Sequence, residues 1–369
     1  MKLLIISQFG GIGGAERSLI PLAKELQSDG YELTLLLLKL PTDSHIFQDF
    51  PGTVLFPESA SSWYRNHTLS QLNREIANTD LVIATSELSP TYISWLLSRW
   101  HRKPFIADVQ VHLSQWINDS AKSLHHYLCR WIYPQISYIR CVSEGVSDDL
   151  RLNYGVPSEH LSIIYVPFEL DAIIQASQSP LPSEHHHIFN KPTIVSIGRF
   201  TSQKRFDIAI EALLYLRQSY DIEGNLLILG DGELRPQLEQ QIRMLELSNS
   251  VFMPGFVENP LMYIARSQVF LLSSDYEGFG RVIVEALALG CPVVSTNCPS
   301  GPSEVLEQGK CGLLVPTAHP QEMAHAIAQI LTNSQLSQTL RSAGLQRAKD
   351  FSSQVIAQDY KRLINCALS

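Results

Sequence analysis

Two cations stand close together in the segment SIGRFTSQKRFD, where a short apolar run ends and an amphipathic stretch begins. Arg199 offers paired planar donors and Lys204 offers a compact charge, so together they suit a diphosphate. They would also neutralise the negative charge that grows on a departing phosphate. The alternative is that both are ordinary surface cations at a helix start, although the positive end of a helix dipole disfavours cations.

The segment SSDYEGFGRVIVEALALG carries two acids on either side of a flexible turn. Glu277 precedes the turn, and its carboxylate suits the hydroxyls of a sugar. Glu285 follows inside a predicted helix, and its two oxygens suit both hydroxyls of a ribose, unless it only complements the helix dipole. Backbone amides of the turn suit phosphate oxygens. The residues of the turn are Gly278, Phe279, Gly280 and Arg281.

A glycine-rich turn, QFGGIGGAER, follows the first apolar run and leads into a predicted helix that begins near Gly14. Such a turn lets the backbone approach a phosphate closely, but a tight connection between strand and helix needs the same residues. Counted from Gly11 and Gly13, the place of the last small residue of a dinucleotide fingerprint is taken by Glu16. A plain NAD site therefore fits poorly.

His112 closes the apolar run IADVQVH in the first half of the chain. If the two halves are wound alike, this histidine faces the crevice beyond the strand ends, where ligands bind in open α/β sheets. A lone histidine is also commonly structural. Three consecutive histidines at 185–187 fall in a Ser- and Pro-rich stretch, where a surface loop explains them and no further metal ligands are placed nearby. No metal site is predicted.

These residues need strands and helices to position them, and short apolar runs alternate with amphipathic stretches along the whole chain. That pattern is typical of βαβ units and a parallel sheet. Since 369 residues exceed one ordinary core, we predict an α/β protein with two Rossmann-like domains facing a cleft. The first domain is predicted over 1–171, a linker without periodicity over 172–191 and the second domain over 192–351. A last helix, about 352–369, is expected to pack back on the first domain.

The predicted strands are short apolar runs that end where the candidate site residues begin. In the first domain they are residues 2–7, 32–38, 53–56, 81–84, 104–108 and 138–142. In the second domain they are residues 193–197, 226–229, 251–253, 269–272, 292–295 and 312–315.

Composition excludes several classes of protein. A hydrophobic fraction of 45% and a charged fraction of 17% are close to globular averages, and a net charge of −8 disfavours nucleic acid as a partner. The six cysteines form no C-x-x-C pair, so reduced thiols in the cytoplasm are expected, without zinc or disulfides. The first apolar run reaches glycine too soon for a signal-peptide core, and without a spanning segment any membrane contact would be peripheral.

The motifs GGIGGAER, GRFTSQKRFD, GDGELRP, PGFVEN and EGFGRVIVEALALGCPVVST occur in an order that resembles the retaining glycosyltransferases of family 4. That family has the two-domain B-type fold. The resemblance covers nearly the whole chain and is densest from 193 to about 316. It implies that Arg199 and Lys204 hold the diphosphate, that Glu277 contacts the donor sugar and that Glu285 binds the ribose.

The resemblance also implies the remaining parts of the donor site. The glycines 13 and 14 would form a flexible donor loop, His112 would lie by the sugar, and Phe256 and Val257, near Gly230, would hold the base largely through the backbone. The mechanism would retain the anomeric configuration without a metal or another cofactor. The leaving phosphate itself would take the proton of the acceptor.

The phrase NCPSGPSEVLEQGKCGLLVP resembles family members that use a UDP-hexose or a UDP-N-acetylhexosamine to build surface polysaccharides and lipid-linked glycans. The expected partners are therefore a nucleotide-sugar donor and a glycan or lipid-linked acceptor. Aromatic and cationic residues in 59–68 and 95–103 either face an anionic membrane or such an acceptor, or are solvated helix ends. Two other functions stay open, a nucleotide-sugar epimerase on the same fold and a non-catalytic partner subunit.

Overall fold

The computed structural model describes residues 1–8, 14–40, 47–57, 66–119 and 124–369, and for 14–17 and 66–67 it describes the backbone. The described chain divides into two compact units. The first unit combines Met1–Phe168 with Phe351–Ser369, and the second is Glu169–Asp350.

The first unit is built on a sheet that has seven strands within the described residues. They are β1 Lys2–Ser7, β2 Glu32–Leu37, β3 Thr53–Leu55, β4 Leu81–Ala84, β5 Phe105–Val109, β6 Ile139–Cys141 and β7 Leu161–Ile163. Their order is β3-β2-β1-β4-β5-β6-β7, and neighbouring strands are parallel. The winding direction reverses between β1 and β4, which makes that pair the switch point of the sheet.

Helices cover this sheet, so most of its strand residues are buried and apolar rather than alternating with polar ones. The helices are α1 Gly14–Ser28, α2 Asn66–Ala77, α3 Ser89–Trp100, α4 Leu113–Asp119, α5 Leu124–Ile132 and α6 Glu144–Tyr154. Helix α6 shows how local sequence sets the boundaries. The Val146 amide donates to Ser143 Oγ at 3.2 Å before the helix, and Gly155, at φ 71°, ends it.

The second unit has a sheet of six strands within the described residues. They are β8 Thr193–Ile197, β9 Asn225–Leu229, β10 Val251–Gly255, β11 Val269–Leu272, β12 Val293–Thr296 and β13 Leu313–Val315. Their order is β10-β9-β8-β11-β12-β13, again with parallel neighbours. This is the doubly wound order, with its switch point between β8 and β11.

Helices α8 and α13 pack together over the core of the second unit, with Leu213 and Met323 among the buried side chains. The helices of this unit are α7 Leu170–Ser177, α8 Phe206–Tyr220, α9 Arg235–Met244, α10 Leu261–Ile264, α11 Arg281–Ala288, α12 Pro302–Val305, α13 Pro320–Thr332 and α14 Ser334–Ala348. No described helix of either unit combines the length and the apolar character that a bilayer span requires.

The last helix, α15 Ser353–Leu368, belongs to the first unit, where it packs against α1. Ser353 Oγ donates to Glu25 Oε1 at 2.9 Å. Residues 172–191, expected as a linker, carry most of α7 and a 3-10 helix, Ser183–Asn190, inside the second unit. That 3-10 helix is anchored because Ile188 is buried and its carbonyl accepts from Asn225 Nδ2 at 2.6 Å.

The predicted α/β class with two Rossmann-like domains is confirmed. Each predicted strand overlaps an observed one, with ends that differ by at most two residues. The sequence pattern misses β7, because its residues, LSI, are interrupted by a serine and do not form an apolar run.

Candidate active site

The residues predicted to hold the donor in the second unit follow the carboxyl ends of three strands, β8, β10 and β11. The strands are parallel, so these loops meet at one edge of the sheet. Strands β8 and β11 are neighbours at the switch point, where ligands bind in doubly wound sheets. The tertiary structure therefore gathers two distant segments, SQKRFD and SSDYEGFG, at a single place.

Hydrogen bonds join the loop after β8 to the loop after β11. Gln203 Nε2 donates to the Tyr276 carbonyl at 2.8 Å, and Ser273 Oγ donates to the Lys204 carbonyl at 2.7 Å. The Asp275 amide donates to the Gln203 carbonyl at 2.9 Å. The two loops therefore form one unit, and a shift of either loop would move the other.

Arg205 is a residue of this junction that sequence reasoning missed. Its backbone is left-handed, with φ 47°, which is uncommon for a residue with a side chain. Its guanidinium pairs with Asp207 at 2.9 Å and with Asp275 at 3.2 Å, which helps to offset that strain. In the sequence, Arg205 appears only as a further cation after Arg199 and Lys204. The structural role of Arg205 is therefore visible only in the fold.

Lys204 and Glu277 form an ion pair at the centre of the junction. Lys204 Nζ lies 2.6 Å from Glu277 Oε1, and the two side chains are 19% and 9% exposed. Ser274 Oγ donates to the same carboxylate oxygen at 2.7 Å. An ammonium has three donors, so within the described residues Lys204 keeps two donors for a ligand.

Arg199 lies on the same loop but reaches into solvent. The next residue, Phe200, is fully buried; its amide donates to the Asp231 carbonyl at 2.9 Å, and its carbonyl accepts from Leu234 at 3.1 Å. This anchoring leaves the Arg199 side chain exposed, and no carboxylate of the described chain pairs with it. Arg199 is thus a free cation close in sequence to the paired Lys204.

The turn Gly278-Phe279-Gly280-Arg281 leads directly into helix α11. Gly280 has φ 86° and precedes the first helical residue, Arg281, while the Phe279 side chain is buried. Gly301, at φ 81°, packs on this turn so closely that a Cβ there would lie 2.3 Å from the Phe279 carbonyl oxygen. The loop after β12 therefore packs directly against the turn 278–281, and only glycine fits at position 301.

Glu285 lies in the second turn of α11 and is 8% exposed. Phe256 and Val257 follow the end of β10, where Phe256 is exposed and Val257 is half-buried. The Gly230 amide donates to the Gly255 carbonyl at 3.0 Å, which ties the end of β9 to the end of β10. These residues share the carboxyl edge of the sheet with Lys204 and Glu277.

In the first unit, His112 follows the end of β5 by three residues and is partly buried. Its Nδ1 lies 3.6 Å from Asp149 Oδ2 and 3.4 Å from Ser114 Oγ. Asp149 is fully buried and accepts from the Ser114 amide at 3.0 Å. Gly14 is the first residue of α1, while Gly13 lies outside the described residues.

Sequence reasoning missed a second acid, Glu87, at the carboxyl edge of the first sheet. It follows the end of β4 by three residues, and its Oε1 accepts from the Gln110 amide at 2.8 Å. Burial raises the pKa of Glu87 from 4.5 to about 7, and the nearby Asp108 adds to that effect. Its position directly after a strand of apolar residues was the available signal.

Other titratable groups near the sites are structural. Burial raises the pKa of the Cys298 thiol to about 12, and the Glu277 carboxylate adds to the rise, so this cysteine stays neutral near pH 7. In the 185–187 run, His185 Nδ1 lies 2.7 Å from the Tyr263 hydroxyl and His187 packs against Phe252. Within the described chain no group of three or more His, Cys, Asp or Glu side chains is placed to hold a metal.

Each unit is a doubly wound, Rossmann-like domain, and the second unit carries the Lys204–Glu277 ion pair at its switch point. A family model described as "Glycosyltransferase Family 4" matches residues 12–172, and one described as "Glycosyl transferases group 1" matches residues 181–347. Between them the two models cover both domains. The chain belongs to the family 4 glycosyltransferases, and the predicted resemblance is confirmed.

Curated relatives agree with this family. An uncharacterized glycosyltransferase of Methanocaldococcus jannaschii is 32% identical over 53% of this chain and 55% of its own length. A Campylobacter jejuni protein, named N-acetylgalactosamine-N,N'-diacetylbacillosaminyl-diphospho-undecaprenol 4-alpha-N-acetylgalactosaminyltransferase, is 30% identical over 66% of this chain and 64% of its own length. These alignments thus span less than two thirds of either relative.

Solved structures share the fold. The crystal structure of Anabaena HepE in complex with UDP-glucose superposes with a TM-score of 0.84 and 22% identity. The superposition covers 99% of this chain and 100% of that chain. The likeness shows that both domains have the B-type glycosyltransferase architecture.

Proposed function

We propose that the protein is a retaining glycosyltransferase that moves a sugar from a nucleotide diphosphate to an acceptor hydroxyl. The observation that carries the proposal is the Lys204–Glu277 pair, at 2.6 Å, on the β8/β11 switch point. A cation beside a carboxylate at this edge suits a donor whose diphosphate and sugar are adjacent. Family membership supports the same activity.

The donor extends along the carboxyl edge of the second sheet. Arg199 and the two remaining donors of Lys204 bind the diphosphate, with the amides of the turn 278–281. Glu277 accepts from sugar hydroxyls, and Glu285 accepts from the ribose. The base lies by Phe256, Val257 and Gly230.

The chemistry follows from the placement of positive charge. The bond between the anomeric carbon and the phosphate oxygen breaks, and the electron pair leaves with the phosphate. Arg199 and Lys204 stabilise that negative charge. The acceptor oxygen bonds to the same face of the anomeric carbon, and its proton passes to the departing phosphate, so the configuration is retained. The reaction needs no metal and no other cofactor.

The donor is a UDP-hexose or a UDP-N-acetylhexosamine, and the acceptor is a glycan or a lipid-linked glycan. The Campylobacter relative is named for the transfer of N-acetylgalactosamine to a diphospho-undecaprenol acceptor, and HepE was crystallised with UDP-glucose. Both support this class of donor, and the first supports a lipid-linked acceptor.

A lipid-linked acceptor requires contact with a membrane surface. The first unit has exposed side chains that suit such a contact. Helix α3 exposes Trp100, which is 82% exposed, and helix α5 exposes Leu124, Tyr127 and Trp131 at one helical face. The cations on and beside these helices are Arg99, Arg102, Lys103 and Arg130. Apolar aromatics next to cations suit the headgroup region of an anionic bilayer.

Part of the predicted membrane segment is unavailable for this contact. Trp95 is buried, with the Arg99 guanidinium 5.2 Å from its ring centre, and much of 59–68 lies outside the described residues.

Flotation with phosphatidylcholine vesicles, with and without phosphatidylglycerol, tests the surface. Trp131→Ser should reduce binding to the anionic vesicles, whereas Met244→Ser, an exposed residue of the second unit, should not.

The test of the activity is a panel of UDP-sugars assayed for UDP release, with and without sugar acceptors, and for the anomeric configuration of the product by NMR. We expect acceptor-dependent UDP release and a retained configuration. Efficient conversion of a UDP-sugar to its epimer without an acceptor would favour the epimerase. Absence of nucleotide-sugar binding by calorimetry would favour the non-catalytic subunit.

A further inference from the structure

The carboxyl edge of the first sheet holds a carboxylate that the proposed donor site does not use. Strands β4 and β5 pair with Ala84 opposite Ala107, so Glu87 lies opposite Gln110. The Gln110 amide donates to Glu87 Oε1 at 2.8 Å, and the side chain is half-buried. The backbone amide of Glu87 itself also donates to this carboxylate. An ionised carboxylate has about four acceptor positions, so acceptor capacity remains for a ligand.

The loop that carries Glu87 is tightly held. The Thr85 amide donates to the Ile6 carbonyl at 2.9 Å, and the Gln8 amide donates to Ser86 Oγ at 2.8 Å. Thr91 Oγ1 donates to the Ser86 carbonyl at 2.7 Å. These bonds link the loop to β1 and to α3 on either side of the switch point, so the carboxylate is held in one place.

The residue after Glu87 has an unusual backbone. Leu88 has φ 64° and ψ −127°, in a region that residues with side chains rarely occupy, while its side chain is buried. Such strain persists only where the surroundings enforce it, and it clusters at ligand-binding sites. Here the enforced conformation turns the chain from β4 into α3 and places Glu87 at the sheet edge.

The surroundings of Glu87 disfavour an anionic ligand. The charged neighbour on β5 is Asp108, which is buried and paired with Arg140 at 2.8 Å. Arg140 also donates to the carbonyls of Ile164 and Tyr165, so each of its three guanidinium nitrogens already makes a hydrogen bond. From β1 and the start of α3 the described neighbours are uncharged. Among the described residues, a phosphate would therefore find no free cation here, whereas a neutral hydroxyl would find an acceptor oxygen.

We infer that Glu87 binds the acceptor, with its carboxylate accepting a hydrogen bond from a hydroxyl of a neutral sugar ring. The inference rests on the proposed glycosyl transfer and adds the chemistry of its second substrate. The acceptor end nearest to Glu87 is thus an uncharged sugar, and any phosphate of the acceptor lies elsewhere.

The contact depends on pH because only the ionised carboxylate accepts at both oxygens. Burial raises the pKa of Glu87 to about 7; Asp108 from β5 adds to the rise, and the Gln110 amide opposes it. Tyr133, from the 3-10 helix Tyr133–Gln135, is a second titratable group that interacts with Glu87. It stays neutral because burial raises its pKa well above 10. The Michaelis constant for the acceptor should therefore fall as the pH rises through about 7.

The experiment compares the wild type with Glu87→Gln. UDP release is measured from UDP-glucose, UDP-galactose and UDP-N-acetylglucosamine, with and without the octyl glycosides of glucose, galactose and N-acetylglucosamine. The best pair is then followed between about pH 6 and about pH 8. The matched control is Asp148→Asn, an exposed acid on α6 of the same unit. Circular dichroism melting at each pH checks that all three proteins are folded.

At about pH 8, Glu87→Gln should raise the Michaelis constant for the glycoside about tenfold and leave that for the donor unchanged. Near pH 6 the Michaelis constant of Glu87→Gln for the glycoside should match that of the wild type, because Gln resembles the protonated acid. Asp148→Asn should match the wild type at both pH values. An unchanged pH profile, or a parallel change for donor and glycoside, would overturn the inference. A wild type without glycoside-dependent UDP release would instead refute the proposed function, and the inference with it.

Discussion

The Lys204–Glu277 pair allows stability and catalysis to be separated by a double-mutant cycle. At 2.6 Å and an effective dielectric constant of about 20, the attraction is about 6 kcal/mol, most of which is offset by the desolvation of both groups. We expect a net coupling of about 1–3 kcal/mol. Lys204→Met alone should cost about 2–4 kcal/mol, because Glu277 is then left with the Ser274 hydroxyl. Adding Glu277→Gln should recover much of that loss.

The assay is guanidinium unfolding followed by circular dichroism. The five tryptophans all precede residue 132, so tryptophan fluorescence reports separately on the first unit and should not change. The control cycle uses Lys191 and Glu223, an exposed pair at 3.0 Å in the same unit, for which we expect a coupling below about 1 kcal/mol.

Transfer activity should respond differently from stability. Lys204→Met should lower kcat about 10²- to 10³-fold, because the charge on the departing phosphate loses a cation. The double variant should regain stability and remain inactive. A coupling below about 0.5 kcal/mol would refute the energetic reasoning, and unchanged turnover would remove Lys204 from the mechanism.

Three further results are expected. Gly301→Ala should destabilise the second unit by at least about 2 kcal/mol in the same unfolding assay, because its Cβ would meet the Phe279 carbonyl. Gly309→Ala, also at positive φ but with its nearest neighbour at an ordinary 4.0 Å, should cost only about 1 kcal/mol. Glu285→Gln should weaken UDP binding about tenfold by calorimetry; unchanged binding would exclude a ribose contact. The raised pKa of Glu87 means that the native state holds a proton more firmly than the unfolded state, so this group destabilises the fold as the pH rises from about 4.5 through about 7. Relative to the wild type, Glu87→Gln should therefore gain up to about 3 kcal/mol between about pH 4 and about pH 8, and an equal difference at both pH values would contradict the shift.

The sequence by itself determined the class of fold and the identity of the donor segments. Strand periodicity and glycine-rich turns are local, so runs such as Lys2–Ser7 and Thr193–Ile197 could be predicted with their observed bounds. The motifs are contiguous, so their order was sufficient to indicate the family. The turn around Gly280 and the acids Glu277 and Glu285 were candidates for the same reason.

Only the tertiary structure decided which of these residues meet. Lys204 and Glu277 are 73 positions apart, and they touch because β8 and β11 are neighbours at a switch point, although two strands separate them in the chain. Glu87 meets Gln110 because β4 and β5 are neighbours in the sheet, and the raised pKa of Glu87 comes from burial that no local pattern reports. Strand order and burial are sums over distant contacts, so they arise only when the whole chain has folded.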